Sequence, residues 1–302
     1  MSQPRKLLFL THPEQHDSPG LQRALALASA CNAALHVLVY VGPFATFLLD
    51  RKVMEQARES LVQAQRKAWE GECAALRGRG LEVTASVVAA DNLREEMLQD
   101  IREQQPDMVI KDVRHESALK RSFVTPLDWH LLRECPAPLL LVNDIRQPMP
   151  RKIVAAVDPS DPQTQLSDIN DRIIAAANGL ALQCDAELHL LFVYDCMPAY
   201  MANGGEGGVA WVDLVEEMRG ALHKPFVALA DKYGVPEERR HFLMGTAVRG
   251  IANFVQQNAI DVTVMGRIHR RAVDRLIGST TEHLIEHVQG SVLALQPGEQ
   301  GA

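Results

Sequence analysis

The chain has 302 residues, 47% of them hydrophobic and 23% charged, with a formal net charge of −7. That length suits two domains of ordinary size, and the acidic balance argues against general nucleic-acid binding and against a polybasic membrane contact. No apolar run approaches 18 residues and only Leu7–Leu10 follows Arg5 and Lys6, too short for a signal-peptide core, so the expected setting is cytoplasmic.

The first half reads as short apolar strands alternating with helical patterns. Strands are expected at 5–10, 34–41, 81–88, 107–111 and 138–142, with helices near 18–31, 50–79, 92–104 and 126–134 between them. Asn143 to Pro150, with Pro148 and Pro150, reads as a linker. The second half repeats the pattern, with strands near 152–157, 187–193, 240–243, 261–265 and 291–295.

The two halves also match residue by residue. Arg5-Lys6-Leu7 corresponds to Arg151-Lys152-Ile153, Cys31 to His36 corresponds to Cys184 to His189, and Pro106-Asp107-Met108 corresponds to Ile260-Asp261-Val262. An offset near 150 residues means two copies of one domain. Alternating βα units with apolar strands imply an α/β fold, two tandem doubly wound parallel five-stranded sheets of Rossmann-like type. Ligands of such sheets bind past the carboxyl ends of the strands where the strand order reverses, between the first and fourth strands.

The richest stretch for chemistry runs from Asp261 to Leu295. Val262–Met265 reads as a buried strand ending at Gly266, and Gly278, Ser279, Thr280 and Thr281 open an amphipathic helix through Leu284, Ile285 and Val288. Arg267, Arg270, Arg271 and Arg275 lie between the two glycines, in a half that carries 13 Lys/Arg against 19 Asp/Glu. Hydroxyl caps, free backbone N–H groups and a helix dipole attract anions, so this stretch describes a phosphate cradle.

The stretch resembles the carboxyl-terminal signature of universal stress proteins, Gly-x-x-Gly, nine residues, Gly-Ser/Thr. His269 stands at the second glycine and the spacer is eight residues. The resemblance implies a degenerate first domain over 1–146 and a second domain over 151–297 with a partial nucleotide-binding signature. It further implies that the second domain takes ATP or a related adenine nucleotide, with magnesium, as a regulatory ligand of a stress-response protein. Asp158, just past the first strand of that copy, would contact the base, with Val193 and Met265 lining the pocket. The backbone of Gly266 and Gly278–Thr281 with Ser279 would hold phosphates, aided by an arginine such as Arg267 or Arg270. A non-nucleotide interaction scaffold is the alternative, motivated by His269 and the short spacer. No catalytic residue is nominated, so the chain is expected to be at most a slow ATPase. In this family subunits often pair through their last strands, which implies an internal pseudo-dimer of the two copies, and a homodimer would cover exposed sheet edges.

Competing signals are weaker. Asp158-Pro159 can open a turn for local reasons alone, and Lys111, Arg114, Lys120 and Arg121 read as a solvated basic loop. Thr125 to Pro136 resembles a first-domain signature of the same family, with Trp129 and Leu132 expected to pack inward. The eleven histidines hold no His-Glu-x-x-His pattern, so no metal site is expected, and His36 and His189 share a strand position that points to a structural role. The five cysteines include no Cys-x-x-Cys pair and read as buried thiols.

Overall fold

The computed structural model describes residues 4–13, 15, 17–42, 51–113, 127–160, 168–197, 209–267, 284–285 and 288–297. The chain divides between Met149 and Pro150 into two compact units.

The first unit contains β1 (Lys6–Thr11), α1 (Pro19–Cys31), β2 (Ala34–Val41), α2 (Arg51–Arg77), β3 (Val83–Ala89), α3 (Leu93–Gln104), β4 (Met108–Asp112), α4 (Leu127–Glu134) and β5 (Leu139–Val142). The second contains β6 (Lys152–Ala156), α5 (Ile169–Cys184), β7 (Glu187–Tyr194), α6 (Val209–Lys232), β8 (Arg240–Met244), α7 (Ala247–Asn258), β9 (Val262–Gly266) and β10 (Ser291–Leu295).

Within the first unit the strands lie in the order β3-β2-β1-β4-β5, and within the second β8-β7-β6-β9-β10. Both orders place the first and fourth strands side by side, and the pairings Leu7↔Met108 and Ile153↔Val262 are parallel and equivalent. The order therefore reverses at the same place in each unit, which is where sheets of this kind take their ligands, past the carboxyl ends of the strands. Burial explains the composition of the strands. Leu7–Leu10, Val109, Ile110, Ile153–Ala155, Val262 and Val264 are at most 1% exposed, as expected of parallel strands covered on both faces.

A carboxylate starts each inner strand pair. Asp107 Oδ2 accepts from the backbone N–H groups of Arg5 (2.7 Å) and Lys6 (2.9 Å), and Asp261 Oδ2 accepts from Arg151 (2.7 Å) and Lys152 (3.0 Å). Each aspartate satisfies two donors at the entry to the first strand of its unit, which would otherwise have no strand partner.

Helix boundaries follow local chemistry. Ser18 Oγ accepts from Leu21 N at 3.1 Å and Pro19 opens α1, while α1, α3, α5 and α7 all end on left-handed residues: Asn32, Gln105, Asp185 and Ala259. All five cysteines are buried and stand outside any disulfide. Among the described residues no helix is long and apolar enough to cross a membrane.

Candidate functional site

In the second unit the turn after β6 is clamped twice. Asn170, in the first turn of α5, accepts from Asp158 N through Oδ1 (3.1 Å) and donates from Nδ2 to Asp158 O (3.0 Å). Asp158 Oδ1 in turn accepts from Ser160 N (3.0 Å) and Ser160 Oγ (2.6 Å). Part of this carboxylate therefore serves the turn itself, which is the local role that Asp-Pro commonly has. Asn170 was not singled out in the sequence, although a buried asparagine one turn into a helix beside a strand end is a residue type that has to find partners.

Strand alternation decides which side chains share a face. Paired residues of parallel strands point the same way and successive ones point oppositely. Through Ile153↔Leu188 and Ile153↔Val262, residues 154, 189, 191, 193, 263 and 265 fall on one face. Two close contacts fix which face this is. A Cβ on Gly250 of α7 would lie 2.5 Å from Val193 Cγ1, and a Cβ on Gly266 would lie 2.6 Å from Ile169 Cγ1 of α5. Val193 and Met265 therefore look toward the side that α7 covers, at the carboxyl ends of β7 and β9, and Gly266 looks toward α5. Val193 is half-buried and Met265 is buried.

Arg267 is 0% exposed, and its backbone N donates to Leu295 O at 2.6 Å. Its side chain is thus part of the interior and not a solvated arm. His269, Arg270, Gly278, Ser279, Thr280 and Thr281 lie outside the described residues; beyond them Leu284, Ile285 and Val288 are buried, and Val288 N bonds Leu284 O at 2.8 Å as in a helix.

The first unit fills the corresponding place. Its repeat equivalences put Lys111 where the second unit has Met265, and Asp112 where it has Gly266. Lys111 is 2% exposed, its Nζ 2.7 Å from Asp128 Oδ1 and 2.8 Å from Asp112 O. This corrects the expectation of a solvated basic residue: the ammonium carries a charge into the interior because a carboxylate of α4 meets it there. Arg114, Lys120 and Arg121 lie outside the described residues. In α4 it is Asp128, with Leu131 and Leu132, that is buried, while Trp129 is half-buried. The signal for Asp128 was a lysine inside an otherwise apolar strand, Met-Val-Ile-Lys-Asp.

Asp112 closes the other side of the same strand end. Its Oδ2 accepts from Ser18 Oγ and its Oδ1 from Gly20 N, both at 2.6 Å, so it sits on the amino terminus of α1. Burial pushes its carboxyl above the usual carboxylate range, against the opposing pull of those two hydrogen bonds. The two units solve one packing problem in opposite ways. Here an aspartate on the strand faces a glycine on the helix, and in the second unit Gly266 faces Ile169.

Among the described residues no group of three His, Cys, Asp or Glu is placed to hold a metal. His36 and His189 bond across to the neighbouring strand, His36 Nδ1 to Thr84 Oγ1 (2.7 Å) and His189 Nδ1 to His241 Nε2 (3.0 Å).

Comparison with known proteins matches the model described as "Universal stress protein family" twice, over residues 4–143 and 149–296. Universal stress protein E of Escherichia coli K12 is 25% identical across 99% of this chain and 96% of its own length. Two solved structures share the fold over nearly the whole chain. A protein of unknown function from Pseudomonas aeruginosa PAO1 is 24% identical with a TM-score of 0.74, covering 97% of this chain and 93% of that one. A universal stress protein from Archaeoglobus fulgidus DSM 4304 is 16% identical with a TM-score of 0.64, covering 98% and 97%.

Proposed function

Because the chain belongs to the universal stress protein family, with one copy of the family's domain in each half, we propose that it is a stress-response protein whose second unit binds an adenine nucleotide, ATP or a close relative, as a regulatory ligand. The observation that carries this reading is the contrast between the two crevices. Where the first unit fills the strand ends with Lys111, Asp112 and Asp128, the second presents apolar Val193 and Met265 on one face beside the Asp158 turn. An apolar wall with a few fixed polar groups suits a purine base. The clamp of Asn170 on both sides of Asp158 holds that turn before any ligand arrives, which limits the ordering lost on binding.

The phosphates would fall to the Gly278–Thr281 stretch and an arginine before it such as Arg270, with magnesium as their counter-ion. We read the role as regulatory occupancy and not turnover, since the sequence nominates no residue to orient a water. The test is mass spectrometry of the small molecule retained by the gently purified full chain, with ATP titration calorimetry on wild type and Asp158→Ala. Retained adenine nucleotide, and a loss of about tenfold to a hundredfold in affinity for the variant, is the expected result, since a charge-assisted hydrogen bond contributes ~1.5–3 kcal/mol. No retained nucleotide and no heat at ~1 mM ATP would overturn it.

The sequence observation that His269 replaces a glycine favours a second reading, an interaction scaffold without nucleotide. The same null result would support that reading.

A further inference from the structure

A titratable pair lies beneath the helix that backs the candidate crevice. His189 of β7 and His241 of β8 meet edge to edge, with Nδ1 and Nε2 3.0 Å apart, ring centroids 5.3 Å apart and ring planes inclined by 28°. By strand alternation both point to the face that α7 covers, and the His241 ring packs 4.4 Å from that of Phe254 on α7. One turn toward the amino end of the same helix, Gly250 rests on Val193. The helix seated on the histidine pair is thus the helix that supports the Val193 wall.

Two ring nitrogens at this separation have room for one proton between them. A further proton on His189 can be accommodated, because its Nε2 lies 3.5 Å from Glu187 Oε2 and its Nδ1–H can donate to His241. A proton then added at His241 Nε2 would set N–H against N–H and place two cations in contact. The charges facing the pair do not relieve this. Glu187 favours a proton on His189, Lys152 and Arg239 oppose it, and Arg249, the sole charged residue of α7, is exposed. Burial holds both histidines below their ordinary value, His241 down to about 4 with His189 adding to the effect. The first unit lacks the device: its matching His36 faces the Thr84 hydroxyl, which can accept from a protonated ring as readily as it donates to a neutral one.

We propose that the His189–His241 contact is an acid-sensitive seat for α7, so that acidification loosens α7 from β7 and β8 and lowers the affinity of the crevice whose wall Val193 forms. Only the affinity half of this rests on the nucleotide reading.

The test is hydrogen-exchange mass spectrometry of the full chain without nucleotide, comparing protection of α7 with that of α5 at pH 7.5 and pH 4.5 after correction for intrinsic rates, alongside ATP titrations at both pH values. Protection of α7 should fall about tenfold more than that of α5, and the ATP dissociation constant should rise by a similar factor, in the range usual for coupled sites. Both effects should flatten in His241→Phe, and in His189→Asn should the first variant fail to fold. Selective loss of α7 protection with no ATP bound at either pH would keep the acid seat and overturn the nucleotide reading. Equal protection of α7 at the two pH values would overturn the seat, whatever ATP does.

Discussion

Lys111 and Asp128 form an ion pair in the interior of the first unit, Nζ to Oδ1 at 2.7 Å, with side chains only 3% and 6% exposed. A pair this dry adds little over two well-packed apolar residues, but removing one member strands the other. Asp128→Ala should therefore lose about 3–5 kcal/mol in urea unfolding, and the double change Lys111→Met with Asp128→Leu should recover most of it. A single variant within about 1 kcal/mol of wild type would mean that Lys111 finds other partners, its bond to Asp112 O among them.

Gly250 and Val193 are predicted to be energetically coupled. A Cβ at residue 250 would lie 2.5 Å from Cγ1 and 3.1 Å from Cγ2 of Val193, so Gly250→Ala must push Val193 or lift α7. Overpacking of this kind costs roughly 1–3 kcal/mol. In a Val193→Ala background the obstructing methyl groups are gone, and Gly250→Ala should become nearly neutral. A double-mutant cycle with no coupling would show that α7 yields without reference to Val193.

Apolar runs bounded by turn residues located each described strand to within about two residues; the inner strands, buried on both faces, leave little freedom in composition, whereas β8 is half-exposed and is read from its place in the repeat. The pairing of Asp107 with Asp261 was visible as a repeat, but its purpose was not. Only the register shows that each carboxylate reaches back to the first strand of its unit. The same holds for Lys111, whose charge read as a sign of solvent while its partner Asp128 lay 17 residues away on another element. Gly266 read as a loop glycine beside phosphates, whereas the structure also gives it a packing reason, Ile169. Neighbours along the chain announce themselves through periodicity; partners across it do so only through the fold.

Ala259 ends α7 in a left-handed conformation, φ 56° and ψ 42°, where a Cβ is unfavourable. Ala259→Gly removes that Cβ at the cost of a freer unfolded chain, and the net gain should be about 0.5–1 kcal/mol. A rise in melting temperature of a few degrees is the expected reading. The same change at Asn32, whose side chain tolerates this region, should gain less. Equal gains at the two positions would place the strain elsewhere.

The histidine pair also sets how the second unit responds to acid. A histidine whose folded pKa is lowered binds its proton more readily in the unfolded chain, so the stability linked to it is complete above the ordinary value of 6.5 and is lost as pH falls. For His241, lowered to about 4 by burial first and by His189 second, the loss runs from near pH 6.5 down to about 4 and then levels. His241→Phe gives up the hydrogen bond to His189 and should be less stable than wild type at pH 7.5. The variant has no proton to gain there, so the gap between the two should narrow as pH falls through that window. Urea unfolding of both proteins at half-unit steps from pH 7.5 to 4 reads this directly. A gap that stays constant across the window would show that His241 titrates alike in the folded and unfolded chain.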